Sequence, residues 1–245
     1  MARNLQQKKE QLPSVIDFSQ DASDGLDNLS AADFAIPYLV ILQKMSPQLD
    51  THDVKAGQIW NTVTEKGVDS IHVVPCAYTR NFVEWVPREQ GGGLVAVHQA
   101  GSLPEHSVVD KKLITKAGNQ LIEAANHFVI TQTDAGIDKG LITMTSTQLR
   151  KNRRWNSLLA GLKMKDSTGK LYTPARYSHS FIMKTMVEKN ESGTWHGWDI
   201  ELSGQLQDAD IYAAAKEFAG QVKSGAVQAG PPMQEPAGNN PQDTF

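Results

Sequence analysis

The sequence has few of the residues and patterns that carry covalent, metal or membrane chemistry. Cys76 is the only cysteine among 245 residues, which excludes an intramolecular disulfide and any zinc or iron–sulfur site built from several cysteines. The longest apolar run is the seven residues 36–42, far short of the roughly 20 that a membrane-spanning helix needs. The first ten residues hold no apolar segment typical of a signal peptide. We therefore expect a protein of a reducing, intracellular compartment.

The sequence also lacks the short motifs of common enzyme classes. It contains no phosphate-binding loop, no His-Glu-x-x-His and no Gly-x-Ser-x-Gly, and Gly91-Gly92-Gly93 lacks the spacing of a dinucleotide-binding turn. His196 lies near Asp199, but one such pair is typical of solvated surface rather than of a metal site. We expect neither catalysis nor a cofactor nor a metal.

The charge is unevenly distributed along the chain, although the formal net charge is only −3. Residues 139–189 hold 11 Lys and Arg against two acids, a net charge of +9. The segments before and after this basic block each carry a net charge of −6. A dense block of positive charge within an acidic protein is typical of a surface that binds a polyanion. The alternative is that acids from elsewhere fold against these cations.

Apolar and turn-forming segments predict a mainly β domain with helical additions, of the α+β class. Short runs rich in β-branched and aromatic residues, separated by turns, favour a small OB-like antiparallel barrel or a sandwich. The longest strand is expected at 70–85, with a break near Pro75. An internal basic helix is expected over 145–163, and a C-terminal helix over about 209–223, with Asp208 as its cap.

The chain divides by composition into three parts. Residues 1–30 predict a disordered acidic arm, 31–225 the β-rich domain, and 226–245 a disordered tail. Within the domain, two strands at 176–188 and 194–202 are expected to form a hairpin.

The basic block interleaves the two kinds of side chain that hold single-stranded nucleic acid. Cations follow the phosphates, and flat aromatic rings stack on unpaired bases. Tyr177 follows Arg176, and Trp195 and Trp198 lie on the partner strand of the expected hairpin. The candidate nucleic-acid-binding residues are therefore Arg150, Lys151, Arg153, Arg154, Lys163, Lys165, Lys170, Arg176, Tyr177, Lys184, Trp195 and Trp198.

Several of these aromatic and basic residues have a second interpretation. Trp155 lies on the apolar stripe of the expected helix, and Phe181 alternates as a core residue does, so a hydrophobic core fits both better than a binding surface. The cations at 150–154 fit either a binding surface or an ordinary solvated helix face.

The C-terminus adds a second feature. Residues 226–245 contain no Lys or Arg and end on Asp243-Thr244-Phe245. This layout, a β-rich domain followed by such a tail, resembles bacteriophage single-stranded-DNA-binding proteins. The stretches 34–47, 81–85 and 193–198 resemble segments of phage early-region proteins. The resemblance implies an OB-type barrel and a flexible tail in which Asp243 and Phe245 recruit replication proteins. It also implies a phage-encoded early protein of DNA replication or recombination, in the host cytoplasm.

Three functions stay open on the sequence alone. The first is coating of single-stranded DNA without sequence specificity, with or without a homodimer. The second is a phage structural or host-interaction protein whose basic patch meets an acidic protein surface. The third, an enzyme acting on nucleic acid, has no catalytic motif in its favour.

Overall fold

A computed structural model describes residues 21, 23–29, 33–133, 136–191 and 193–230 of the chain. Residues from Ala35 onward belong to one compact unit, which contains every strand and helix named below. Residues 1–20, 22 and 30 of the expected arm lie outside the described residues, as do positions 231–245 of the expected tail.

The unit is mainly β with helical additions, as the sequence predicts. Its helices are α1 (Gln48–Thr51), α2 (Leu149–Gly161) and α3 (Ala209–Lys223). Its strands are β1 (Leu39–Ile41), β2 (Ile59–Asn61), β3 (Lys66–Val68), β4 (Ser70–Trp85), β5 (Leu94–Gln99), β6 (His106–Val109), β7 (Lys112–Thr115), β8 (Gln120–Thr133), β9 (Gly136–Thr145), β10 (Met164–Lys165), β11 (Leu171–Tyr172), β12 (His179–Asn190) and β13 (Gly193–Gln205). None of the described helices is both long and apolar enough to cross a membrane.

One large antiparallel sheet organises the unit, in the order β13-β12-β4-β8-β7-β6, with β5 also paired to β4 and β9 also paired to β8. The terminal strands β13 and β6 do not pair with each other, so the described strands form no closed barrel. The expectation of an OB-like barrel is therefore not confirmed. Two smaller sheets, β1-β2-β3 and β10-β11, accompany the large one.

The central strand β4 has the predicted bounds, and its register shifts between Pro75 and Ala77, where the sequence predicts a break. Two other predicted strands differ from the structure. The segment 108–115 is rich in β-branched residues and predicts one strand, but the chain turns at Asp110 and Lys111, which both adopt left-handed backbone. The strand expected from Arg176 begins only at His179, because 176–178 form a 3-10 turn.

Two hydrophobic cores lie on opposite faces of the large sheet. On one face, Trp155 of α2 packs against Phe181, with ring centroids 5.7 Å apart. On the other, Phe218 of α3 packs against Phe128 at 6.1 Å. Burying each large apolar side chain contributes roughly 1.5–3 kcal/mol, so the sheet is held between α2 and α3.

The C-terminal helix begins where the sequence predicts. The side chain of Asp208 accepts hydrogen bonds from the backbone N–H groups of Asp210 and Ile211, at 2.9 and 3.0 Å. These bonds satisfy two of the donors that a helix leaves open at its first turn. Beyond the helix, Val227 is buried in the second core, so the folded part of the chain continues past the expected boundary at 225.

Candidate nucleic-acid interface

The helix α2 separates its apolar and basic residues onto different faces. Asn152, Trp155 and Leu159 are buried, at the three- and four-residue spacing that places side chains on one side of a helix. Arg153 and Arg154 fall between them and are exposed. Within the part of the chain that the structure describes, the Arg153 guanidinium forms no ion pair. The outer face of α2 thus presents positive charge to solvent.

A short hairpin continues this basic face directly after α2. Strands β10 and β11 pair through Met164–Tyr172 and Lys165–Leu171, and the turn between them is closed by Asp166. One carboxylate oxygen of Asp166 accepts hydrogen bonds from the backbone N–H and the hydroxyl of Thr168 and from the backbone N–H of Lys170. These bonds, led by the one from the Thr168 hydroxyl, lower the pKa of Asp166. The Asp166 carboxylate therefore stabilises the turn of this hairpin.

The cations of α2 and of the hairpin define one surface. Residues 149–173 hold seven Lys and Arg and a single acid, Asp166. Six of these cations are exposed, and one of the six, Arg150, lies 3.5 Å from the Glu188 carboxylate. The other five form no ion pair within the described residues, and we call them the basic surface: Arg153, Arg154, Lys163, Lys165 and Lys170. Arg154 donates to the Ile200 carbonyl at 3.4 Å, and Lys163 donates to the Thr173 hydroxyl at 2.5 Å.

Two of the predicted cations instead share the single carboxylate of Glu188. The Glu188 carboxylate lies 3.0 Å from the Lys151 ammonium and 3.5 Å from the Arg150 guanidinium, and it also accepts a 2.9 Å hydrogen bond from the Trp195 indole. The Lys151 side chain is only 13% exposed. The Glu188 carboxylate has room at this position because Gly197 has no side chain. A Cβ at Gly197 would lie 2.6 Å from the carboxylate oxygen. Lys151 therefore stabilises the fold through its ion pair with Glu188, and Trp195 is hydrogen-bonded to the same carboxylate.

Three further predicted residues are also engaged elsewhere. Trp198 is 2% exposed and lies in the first core. It offers no ring face to a base, so its prediction as an interface residue is wrong. Tyr177 packs edge-on against Tyr212 at 5.3 Å, beside the second core. Lys184 lies 3.7 Å from the Glu201 carboxylate. Of the hairpin aromatics, Trp198 is therefore buried, and Tyr177 and Trp195 have partners within the fold.

Arg176, another predicted phosphate-binding residue, lies in an enclosed polar network. Its guanidinium donates to Nδ1 of His127 at 2.7 Å and to Oδ1 of Asn156 at 3.0 Å. It also lies over the rings of Tyr78 and Trp155, at 5.5 and 5.8 Å. Burial lowers the pKa of Arg176 to about 10, and Nε has no partner among the described residues. Arg176 therefore ties the 3-10 turn to α2 and β8 and does not join the basic surface.

The same network fixes the state of His127. Because arginine can only donate, Nδ1 of His127 is the acceptor, and Nε2 carries the proton that it donates to Asn152 Oδ1 at 2.9 Å. His127 is completely buried and stacks on Trp155 at 4.4 Å. Burial, reinforced by the charge of Arg176, lowers the pKa of His127 well below 6.5.

The basic block as a whole does not line one cleft. Lys139 lies on the far face of the sheet, 5.2 Å above the Phe218 ring, and donates to Gln221 of α3. The expectation that the cations between Lys139 and Lys189 share one groove is therefore wrong. The cations that lie close together in the chain and in the fold are those of the basic surface, on α2 and the hairpin segment.

The structure also shows an aromatic residue that the sequence-based set omits. Tyr172 follows Lys170 and is 44% exposed. The run of turn-forming residues Asp166-Ser167-Thr168-Gly169 is the signal that indicates a turn at this point of the chain. The predicted tail residues Asp243 and Phe245 lie outside the described residues.

Comparison with known proteins places the chain in a family. No curated protein and no solved structure matches it. The family model described as Pam3 phage gp34-like protein matches residues 6–228. This match covers the whole of the β unit except its last described residues. The chain therefore belongs to the Pam3 phage gp34-like protein family.

Proposed function

We propose that this protein binds single-stranded DNA without sequence specificity, in phage DNA replication or recombination. The observation that supports the proposal is the basic surface, where five exposed cations accompany a single acid whose carboxylate is taken up by its own turn. Cations that neutralise phosphates release condensed counterions, and this release supplies most of the free energy of binding that ignores sequence.

The connection between α2 and the hairpin makes their cations neighbours. The chain leaves α2 after Gly161, forms β10 and β11, and returns at Arg176, whose guanidinium bonds to Asn156 on α2. Both ends of the hairpin segment are thus anchored to the second half of the helix. A phosphate chain that follows the outer face of α2 meets the hairpin lysines next.

The surroundings of α2 favour a single strand over a duplex. One flank of the helix is occupied by the edge of the sheet, since Arg154 donates to Ile200 and Gln148 accepts from the backbone N–H of Trp198. A helix that reads a duplex must stand clear enough to enter the major groove. A flexible single strand can follow a helix that is flanked on one side.

The test is a fluorescence anisotropy titration with labelled oligo-dT and with duplex DNA of equal length, across a range of salt. If all five cations contact phosphates, log K should fall against log [salt] with a slope of about −3.5. The single strand should bind more tightly than the duplex at every salt concentration. Absence of oligo-dT binding at about 50 mM salt would contradict the proposal. Nuclease-resistant co-purification with one acidic protein would then favour the interaction-protein function.

A further inference from the structure

We infer that the β10–β11 hairpin is the base-contacting element of this surface, with the ring of Tyr172 stacked on an unpaired base. The inference rests on the proposed function and adds to it the residue that would distinguish bases from phosphates. Lys165 and Lys170 would hold the phosphates on either side of the stacked base.

The hairpin presents its apolar side chains to solvent. Leu171 is 60% exposed and Tyr172 is 44% exposed. Their strands form a separate two-stranded sheet that pairs with no other strand among the described residues. Two-stranded hairpins are at best marginally stable in water, and here the three hydrogen bonds to the Asp166 carboxylate hold the turn. The hairpin therefore has a polar turn and keeps the two apolar side chains of strand β11 exposed.

The register of the hairpin gives its two faces different chemistry. Tyr172 lies opposite Met164, and its hydroxyl is 3.9 Å from the Met164 sulfur. Lys165 lies opposite Leu171 on the other face. One face is thus an aromatic ring supported by a thioether, and the other carries a cation. A base can stack on the first face while its phosphate remains within reach of the lysines.

The other aromatic residues of this region are buried or contact other side chains of the fold. Trp155, Phe181 and Trp198 are buried in the first core. Tyr177 packs on Tyr212, and Trp195 is bonded to Glu188. Among the described Phe, Tyr and Trp residues from 139 to 198, Tyr172 alone is exposed, and the others are buried or partly buried. Stacking on one base contributes enough to change affinity by about 5- to 100-fold when the ring is removed.

The experiment combines a substitution series with crosslinking. Y172A should weaken oligo-dT binding about 5- to 100-fold and leave the salt slope unchanged, because stacking releases no counterions. Y172F should bind like the parent, since it keeps the ring. The matched control is Y212A, which removes a ring of similar exposure on α3, across the sheet from α2. Ultraviolet crosslinking to oligo-dT that carries 5-iodouracil should attach at Tyr172 and not at Tyr212.

The outcomes separate the two proposals. If the parent binds oligo-dT but Y172A binds equally well, the hairpin is not the base-contacting element, and the proposed function stands. The same conclusion follows if the crosslink maps to another residue. If the parent does not bind oligo-dT at all, the proposed function and this inference both fail.

Discussion

Gln43 and His196 exchange two hydrogen bonds across 153 positions of the chain. Nε2 of Gln43 donates to the His196 carbonyl at 2.9 Å, and the His196 N–H donates to Oε1 of Gln43 at 2.9 Å. The Gln43 amide therefore pairs with both backbone polar groups of His196 on the open edge of β13, as the backbone of a neighbouring strand would. Gln148 accepts from the N–H of Trp198, and Arg154 donates to the carbonyl of Ile200. Side chains thus cover an edge that would otherwise pair with another molecule.

We predict that Q43L destabilises the fold. The leucine leaves the N–H and C=O of His196 without partners at a half-buried position, which should lower the free energy of unfolding by about 1–3 kcal/mol. Urea denaturation measures the change. Q207L is the control, because exposed Gln207 makes only a 3.4 Å bond to the nearby Gln205 carbonyl. Equal stability of Q43L and the parent would show that the edge does not need this cover.

We predict that E188Q destabilises the fold more than E201Q does. Glutamine keeps the shape of Glu188 but removes the charge beside Lys151, which is mostly buried, so we expect a loss of about 1–3 kcal/mol. Glu201 faces Lys184 at 3.7 Å, and both side chains are about half exposed. Exposed pairs of this kind contribute at most about 1 kcal/mol. Similar urea midpoints for both variants would contradict a special role for Glu188.

We predict that reversing charge on both parts of the basic surface weakens DNA binding. Arg153→Glu with Lys165→Glu should lower oligo-dT affinity and flatten the salt slope by about 1.4, the contribution of two phosphate contacts on a single strand. The control reverses Lys216 and Lys223, which are exposed on α3. Anisotropy titration of both double variants is the measurement. If the α3 variant loses as much affinity as the first, the effect is one of net charge and not of this surface.

We predict that stability falls as the pH is lowered from about 6.5. The pKa of buried His127 lies well below 6.5, so below that pH the unfolded chain takes up a proton that the folded protein does not. The free energy of unfolding should then fall by up to about 1.4 kcal/mol per pH unit for this one group. Above pH 7 both states hold His127 neutral, and its contribution to the pH dependence disappears.

The pKa values of two partly buried histidines, His179 and His196, are also lowered by burial. The variant with His179→Gln and His196→Gln removes the contributions of these two residues. Urea unfolding of this variant at pH 7.5, 6.5 and 5.5 should still show a fall in stability below pH 6.5. A stability independent of pH over that range would show that the folded state accepts a proton at His127.

Local signals predicted the elements that depend on neighbouring residues. The cap at Asp208 and the helical spacing after it give the bounds of α3, and β-branched residues with an interruption near Pro75 give β4. Both predictions are confirmed. The turn at Asp110 and Lys111 was missed because neither residue is the glycine or asparagine that usually signals left-handed backbone.

The site was harder to predict because burial depends on distant partners. Alternation predicts the strand that holds Trp198, but only the position of α2 decides which face of it is covered. Lys151 is paired with Glu188, and Arg176 donates hydrogen bonds to neutral acceptors on β8 and α2. No local pattern in the sequence indicates either contact. The five cations of the basic surface lie in local structure, because Arg153 and Arg154 fall between the buried positions of α2, and the three lysines lie in and beside a short hairpin.

The position of β4 at the centre of the large sheet has a consequence for the nascent chain. Its first residues, from Ser70 to Val73, pair with β12, which leaves the ribosome only after α2 and the hairpin. Until then, the apolar groups of β4 on that side lack their permanent neighbour. Closing so distant a pairing is slow relative to forming a local hairpin. Six of the eight strands of this sheet are therefore synthesised before β12 and β13, the two strands that complete it beside β4.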